Sequence, residues 1–170
     1  MKPLVSIIMG STSDLPVMEE VARVLNEFKI PFELNVLSAH RTPDKAASFA
    51  REASDRGVRV IIAGAGGAAH LPGVIAALTT IPVIGVPIKA SISIDGWDSI
   101  LSILQMPPGI PVATVGLDAA RNAGILAVQI LATGDPEIME KVKKFKEGLA
   151  EKIVQANEEL KKIKYEYKVD

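Results

Sequence analysis

Apolar residues in this chain gather into five short runs, and between the runs they recur at helical spacing. The runs are Leu4-Val5-Ser6-Ile7-Ile8-Met9, Phe32-Glu33-Leu34-Asn35-Val36-Leu37, Val58-Arg59-Val60-Ile61-Ile62-Ala63, Pro82-Val83-Ile84-Gly85-Val86-Pro87 and Pro111-Val112-Ala113-Thr114-Val115. Each has strand length, and several are rich in β-branched residues that pack well on a pleated surface. After the first run, Pro16 stands near a helix start, where its missing N–H costs little. Val17, Val21, Val24, Leu25 and Phe28 then share one helical face until Ile30-Pro31 ends it. Ala46, Ala47, Phe49, Ala50 and Ala53 form a second stripe, stopped by Gly57. A short helix is predicted over Val74 to Thr79, and another carries Ile100, Leu101, Ile103 and Leu104. A helix from about Asp118 to Ala132 and a long one over about 136–165 complete the chain.

Strands alternating with helices predict βαβ units and a parallel sheet. Five such strands in a chain of 170 residues predict one α/β domain spanning 1–170. The expected architecture is a three-layer sandwich of flavodoxin type with strand order 2-1-3-4-5. The final helix differs from the others, because residues 135–170 carry nine lysines and nine acids. Its sparse apolar line, Ile138, Val142, Phe145, Leu149, Ile153 and Leu160, can dock on its own domain or on a neighbouring subunit.

Composition narrows the function classes. The formal charge of −1 leaves no general basic footprint for nucleic acid or an anionic membrane. No apolar run reaches the roughly 18 residues of a membrane span, and the start reads as fold, not as a secretory leader. The absence of cysteine removes disulfides, thiolate catalysis and sulfur-ligated metals, and suits a cytoplasmic protein. Apolar residues make up 48% and aromatics only 4%, as in parallel sheets buried on both faces and in oligomers that bury much of their surface.

Candidate chemistry follows the strands, as the crevice outside their carboxyl ends requires. Gly10-Ser11-Thr12-Ser13-Asp14 lies where a helix N-terminus offers free N–H groups, which suits a phosphate with Ser11 and Ser13 as hydroxyl donors. Helix capping by Ser13 or Asp14 is the competing reading. Asp14 repels a phosphate and suits a ribose diol. Ser38-Ala39-His40-Arg41-Thr42-Pro43 sets an imidazole, able to exchange a proton near neutrality, beside a guanidinium fork that fits phosphate or carboxylate. A histidine held by turn carbonyls and a surface salt bridge are the alternatives for His40 and Arg41. Gly64-Ala65-Gly66-Gly67-Ala68-Ala69 is a weak dinucleotide fingerprint. It reads better as small residues whose amides line a tight, flat pocket. Its apolar character suggests cover from a neighbouring chain. His70 follows it, but two histidines without nearby cysteine or acid partners make a poor metal site. Lys89 either completes an anion site or sits in solvent, and Trp97 reads as packing. A phospho-receiver of the same fold needs acids where Met9-Gly10-Ser11 and Ala63-Gly64 stand, and a flavin carrier needs aromatics on the first three loops.

The three loops together, with Gly85-Val86-Pro87 and Gln105-Met106-Pro107-Pro108-Gly109-Ile110-Pro111-Val112, resemble the class I N5-carboxyaminoimidazole ribonucleotide mutases of purine biosynthesis. The resemblance runs from about Val5 to Ala132. Leu15 departs from it, since many members carry Trp there, a change of loop contact and not of a catalytic group. Direct carboxylases of the animal type carry Lys-Gly after the histidine and lack the His-Leu-Pro-Gly ending, so Arg41-Thr42 and His70-Leu71-Pro72-Gly73 favour the mutase.

The resemblance implies that His40 is the acid and base of a decarboxylation and recarboxylation, with CO2 as a bound intermediate. It implies that Ser11, Ser13 and Arg41 hold the 5′-phosphate of a phosphoribosyl aminoimidazole and Asp14 its ribose. Ser38, Gly66, His70 and Leu71 complete the substrate site. No ATP, metal or organic cofactor is implied. A homo-octamer with sites at subunit junctions is, and so is a functional link to the ATP-dependent N5-carboxyaminoimidazole ribonucleotide synthetase. A direct carboxylase using CO2, and a non-catalytic nucleotide-phosphate binding module that has no need of His40, are the alternatives.

Overall fold

A computed structural model of the chain describes residues 1–169. Five strands, β1 (Val5–Met9), β2 (Phe32–Val36), β3 (Val60–Gly66), β4 (Val83–Ile88) and β5 (Ala113–Thr114), form one parallel sheet in the order β2-β1-β3-β4-β5. The expected order 2-1-3-4-5 and the flavodoxin-like sandwich are therefore correct.

Two faces of the sheet carry two cores. Val5, Ile7 and Met9 of β1, Val60 and Ile62 of β3, and Ile84, Val86 and Ile88 of β4 pack against α1 (Leu15–Glu27), α5 (Ala120–Ala132) and the first turns of α6 (Pro136–Lys161). Residues of the opposite parity, among them Ile8, Ile61, Ala63 and Val83, meet α2 (Pro43–Arg51), α3 (Leu71–Ala76) and Ile103 of α4 (Trp97–Leu104). Burial on both faces is what makes β1, β3 and β4 read as continuous apolar runs. β2 alternates instead, because it is an edge strand with Leu34 and Val36 partly exposed.

The register positions the site. Met9 lies opposite both Val36 and Gly64, and Gly66 lies opposite Ile88. The chain therefore leaves β1, β2, β3 and β4 at one edge. It enters β1 at the other edge, where Lys2 lies against the Gly57 turn.

Several boundaries differ from expectation. β5 shortens to two residues, since Pro111 has no N–H for the ladder and the Thr114 hydroxyl turns back to the carbonyls of Ile103 and Val112. α3 begins at Leu71, not Val74, because Pro72 occupies a first-turn position that needs no N–H. α6 stops at Lys161 instead of about 165, and only its first half docks. Ile138 and Val142 are buried, whereas Leu149, Ile153 and Leu160 are exposed. No helix among the described residues is long and apolar enough to cross a membrane.

Candidate active site

After β1 the chain makes a 3-10 turn over Thr12–Asp14 before α1. Ser11 is extended and its hydroxyl accepts from the Ser13 N–H at 3.3 Å. Asp14 answers by accepting from the Ser11 N–H at 3.1 Å and from the Ser13 hydroxyl at 3.4 Å. This reciprocal pairing is a capping box, with Ser11 and not Ser13 as the N-cap. Asp14 is only 6% exposed. Burial pushes its carboxyl above the usual range, and the hydrogen bonds from Ser11, Ser13 and Gly10 pull against that shift without cancelling it.

The loop after β2 is fastened by Thr42. Its N–H and hydroxyl both donate to the Ser38 carbonyl, at 2.9 and 3.0 Å, and its hydroxyl oxygen accepts from the Ser38 N–H at 3.1 Å. Ser38 Oγ accepts from the Arg41 N–H at 3.1 Å and from Arg41 Nε at 3.4 Å. Arg41 Nη2 donates to the Gly10 carbonyl at 3.2 Å, joining the first two loops. Among the described residues Arg41 makes no salt bridge. Its charge is free to meet an anion.

β3 continues through Gly66, further than the sequence suggested, and Gly67 then turns in the left-handed region at φ +62°. The Ala69 N–H donates to the Gly67 carbonyl at 2.8 Å and the His70 N–H to that of Ala68 at 2.7 Å, bringing His70 to the start of α3. His70 Nδ1 lies 2.7 Å from His40 Nε2, with the rings edge to face at 78°. Within this loop Ala65, Ala69 and Leu71 are buried by the chain itself, whereas Ala68 is exposed on the cleft. Larger exposed apolar side chains stand nearby in sequence on the segment after β4, at Ile92, Ile94, Trp97, Leu101 and Leu104. Trp97, at 63% exposure, is not core packing.

All nine residues singled out from the sequence, Ser11, Ser13, Asp14, Ser38, His40, Arg41, Gly66, His70 and Leu71, line one cleft of about 450 Å³. Ala90, Ser91 and Ile92, on the strap leading from β4 to α4, form a fourth wall that sequence reasoning missed. The signal available was an apolar Ile92 following a strand end, in a stretch of serines. Lys89 stays outside the cleft and pairs with Asp95 at 3.1 Å. No cluster of three metal-ligating side chains is present among the described residues.

The cleft thus brings together a guanidinium, a helix start, a buried carboxyl and a pair of imidazoles. A sequence model of the AIR carboxylase family matches residues 4–152. The chain belongs to that family. It is 63% identical over 147 residues to a Pyrococcus abyssi N5-carboxyaminoimidazole ribonucleotide mutase, covering 86% of this chain and 84% of that protein. To the Pyrococcus horikoshii mutase it is 56% identical, covering 97% of this chain and 93% of that one. A Schizosaccharomyces pombe phosphoribosylaminoimidazole carboxylase is 54% identical over 95% of this chain, which spans only 29% of that longer protein. Among solved structures, the crystal structure of Treponema denticola PurE superposes with a TM-score of 0.83 at 34% identity, covering 95% of this chain and all of that one. The AIR carboxylase family thus accounts for both the fold and the loops at its carboxyl edge.

Proposed function

We propose that this chain is an N5-carboxyaminoimidazole ribonucleotide mutase, an isomerase of purine biosynthesis that moves a carboxyl group from the exocyclic nitrogen to ring carbon C4. The observation that carries this reading is the contact of His40 with His70 in the same cleft as Arg41 and the Ser11–Asp14 turn. Arg41, Ser11 and Ser13 take the 5′-phosphate and Asp14 the ribose hydroxyls. That arrangement sets the aminoimidazole against His40.

Protonated His40 donates to the exocyclic nitrogen as the N–C bond of the carbamate breaks, releasing CO2 and neutral aminoimidazole ribonucleotide. C4 then attacks CO2, forming the C–C bond and leaving a ring cation that still bears the C4 proton. Neutral His40 removes that proton, which restores aromaticity and regenerates its acid form. His40 Nε2 faces His70 Nδ1 at 2.7 Å, and that contact orients the imidazole that exchanges the proton. The Gly66 wall and Leu71 confine CO2 between the steps.

The identity to the fungal carboxylase supports a second reading, direct carboxylation with dissolved CO2. One experiment separates the two. The chain is mixed with substrate labelled at the carboxyl carbon, in excess unlabelled bicarbonate and without ATP or metal, and product is followed by NMR. Labelled 4-carboxylate, lost in His40→Asn while substrate binding is retained, supports the mutase. Mostly unlabelled product supports direct carboxylation, and no product removes both.

The exposed Ile94, Trp97, Leu101 and Leu104 support assembly, which we take to be a homo-octamer. A stable monomer in native mass spectrometry would refute it. A chain without cysteine gains nothing from an oxidising compartment, which fits a place in the cytoplasm beside an ATP-dependent synthetase supplying the carbamate.

A further inference from the structure

We infer that Ser93, a residue outside the cleft, is a positioning residue for the carboxyl transfer, latching the β4–α4 strap onto the loop that carries His70. The inference rests on the mutase reading and deepens it.

Ser93 Oγ accepts from two backbone N–H groups on separate segments, Gly67 at 3.3 Å and Ala90 at 3.0 Å. A hydroxyl oxygen has two acceptor sites, and both are used. The Ser93 N–H also donates to the Ala90 carbonyl at 2.9 Å, closing 90–93 into a tight turn. At the base of the strap the Lys89 N–H donates to Asp118 Oδ1 at 3.0 Å. The strap is therefore a shaped piece of chain, tied at its base and once across to the turn that follows β3.

The tie across matters because of what it meets. Gly67 sits in the left-handed region and begins the turn that delivers His70 to His40. Its N–H points not into that turn but to Ser93. Next to Ser93, Ile92 lines the cleft, and its side chain reaches Gly67 so closely that a Cβ there would stand 3.1 Å from Ile92 Cδ1. One hydroxyl thus fixes the backbone leading to the imidazole pair and holds an apolar side chain at the cleft mouth. Loss of that hydroxyl releases both. The imidazole pair then loses its fixed approach to C4, and CO2 gains a way out before C4 attacks. Support of this kind, one step removed from the reacting atoms, is what keeps a site within the narrow geometry that catalysis needs.

The test uses wild type, Ser93→Ala and Ser93→Thr, with labelled N5-carboxyaminoimidazole ribonucleotide in excess unlabelled bicarbonate. Ser93→Ala is expected to lower kcat by about tenfold or more, with little change in KM, and to raise the share of product carbon drawn from solution. Its thermal midpoint should stay close to wild type, since water can replace a half-buried hydroxyl, and Ser93→Thr should restore both kcat and label retention. Wild-type kcat and retention in Ser93→Ala, or a threonine variant as impaired as the alanine one, overturns the assignment alone. A wild-type chain that forms no product overturns the mutase reading and this assignment with it.

Discussion

Adding a single methyl group at two positions of β3 separates a site effect from a stability effect. At Gly66 a Cβ would stand 2.7 Å from the Ala90 Cβ and 2.9 Å from the Ile88 carbonyl oxygen. Carbon atoms pack at about 3.5–4.0 Å, so the end of β4 and the strap that follows it must retreat by roughly an ångström. Its neighbours there are backbone and a Cβ, with no rotamer to turn aside. A displacement of that size in a site wall costs on the order of a hundredfold in rate. At Gly64, two residues back on the same face of the strand, the Cβ would meet Met18 Sδ and Ile88 Cδ1, the latter at 3.0 Å. These are ends of flexible side chains inside the core, and Met18 is fully buried. Gly64→Ala is therefore expected to lose about 1–3 kcal/mol of stability by overpacking and to keep most of its activity. Gly66→Ala is expected to lose activity with a smaller loss of stability, because the clash falls on the last residue of β4 and the strap beyond it, where the sheet ends and the chain can move outward. Initial rates of product formation, paired with urea unfolding of each variant, make the comparison. Wild-type rates in Gly66→Ala, or an equal loss of activity in Gly64→Ala, would refute the reasoning.

Two further expectations concern pH. Asp14 has a raised carboxyl pKa in the folded chain, so its contribution to stability declines as pH rises from the unfolded value of 3.8 through the folded one, and is flat above. Asp14→Asn should remove that decline, so urea midpoints of the variant should gain on wild type from acid to neutrality; a gap moving the other way would count against burial as the cause. Glu27 is the opposite case, lowered by the hydrogen bond from Arg121 across α1 and α5. Both partners are about half exposed, at 45% and 50%, so Glu27→Gln should cost less than about 1 kcal/mol. That stabilisation should be present above the unfolded value of 4.5 and be lost as pH falls through the lowered folded one. Salt should shrink it, and an effect indifferent to both salt and acid would show that packing, not charge, is involved.

The sheet was legible because β1, β3 and β4 are buried on both faces and leave unbroken apolar runs. The cleft was legible because polar and Gly-rich stretches after strands can meet only at the carboxyl edge. What sequence missed depended on contacts far apart in the chain. Ser93 is one serine among several until the fold brings it to Gly67, 26 positions away. Periodicity alone could not say that α6 leaves its domain after Phe145, since Leu149 and Ile153 continue the line of Ile138 and Val142. Trp97 misled for a related reason, as a large apolar side chain is taken for core unless its neighbours are known. The apolar third loop is covered only in part by its own chain, with Ala65 and Ala69 buried and Ala68 exposed.

Lys2 lies beside the Gly57 turn, at the end of the sheet away from the cleft. A domain tethered ahead of Met1 would hang from that opposite end, leaving the cleft mouth and its strap clear. The module could then be carried in a longer polypeptide without any rearrangement of the loops at its carboxyl edge. An N-terminal affinity handle should be equally silent in the assays above.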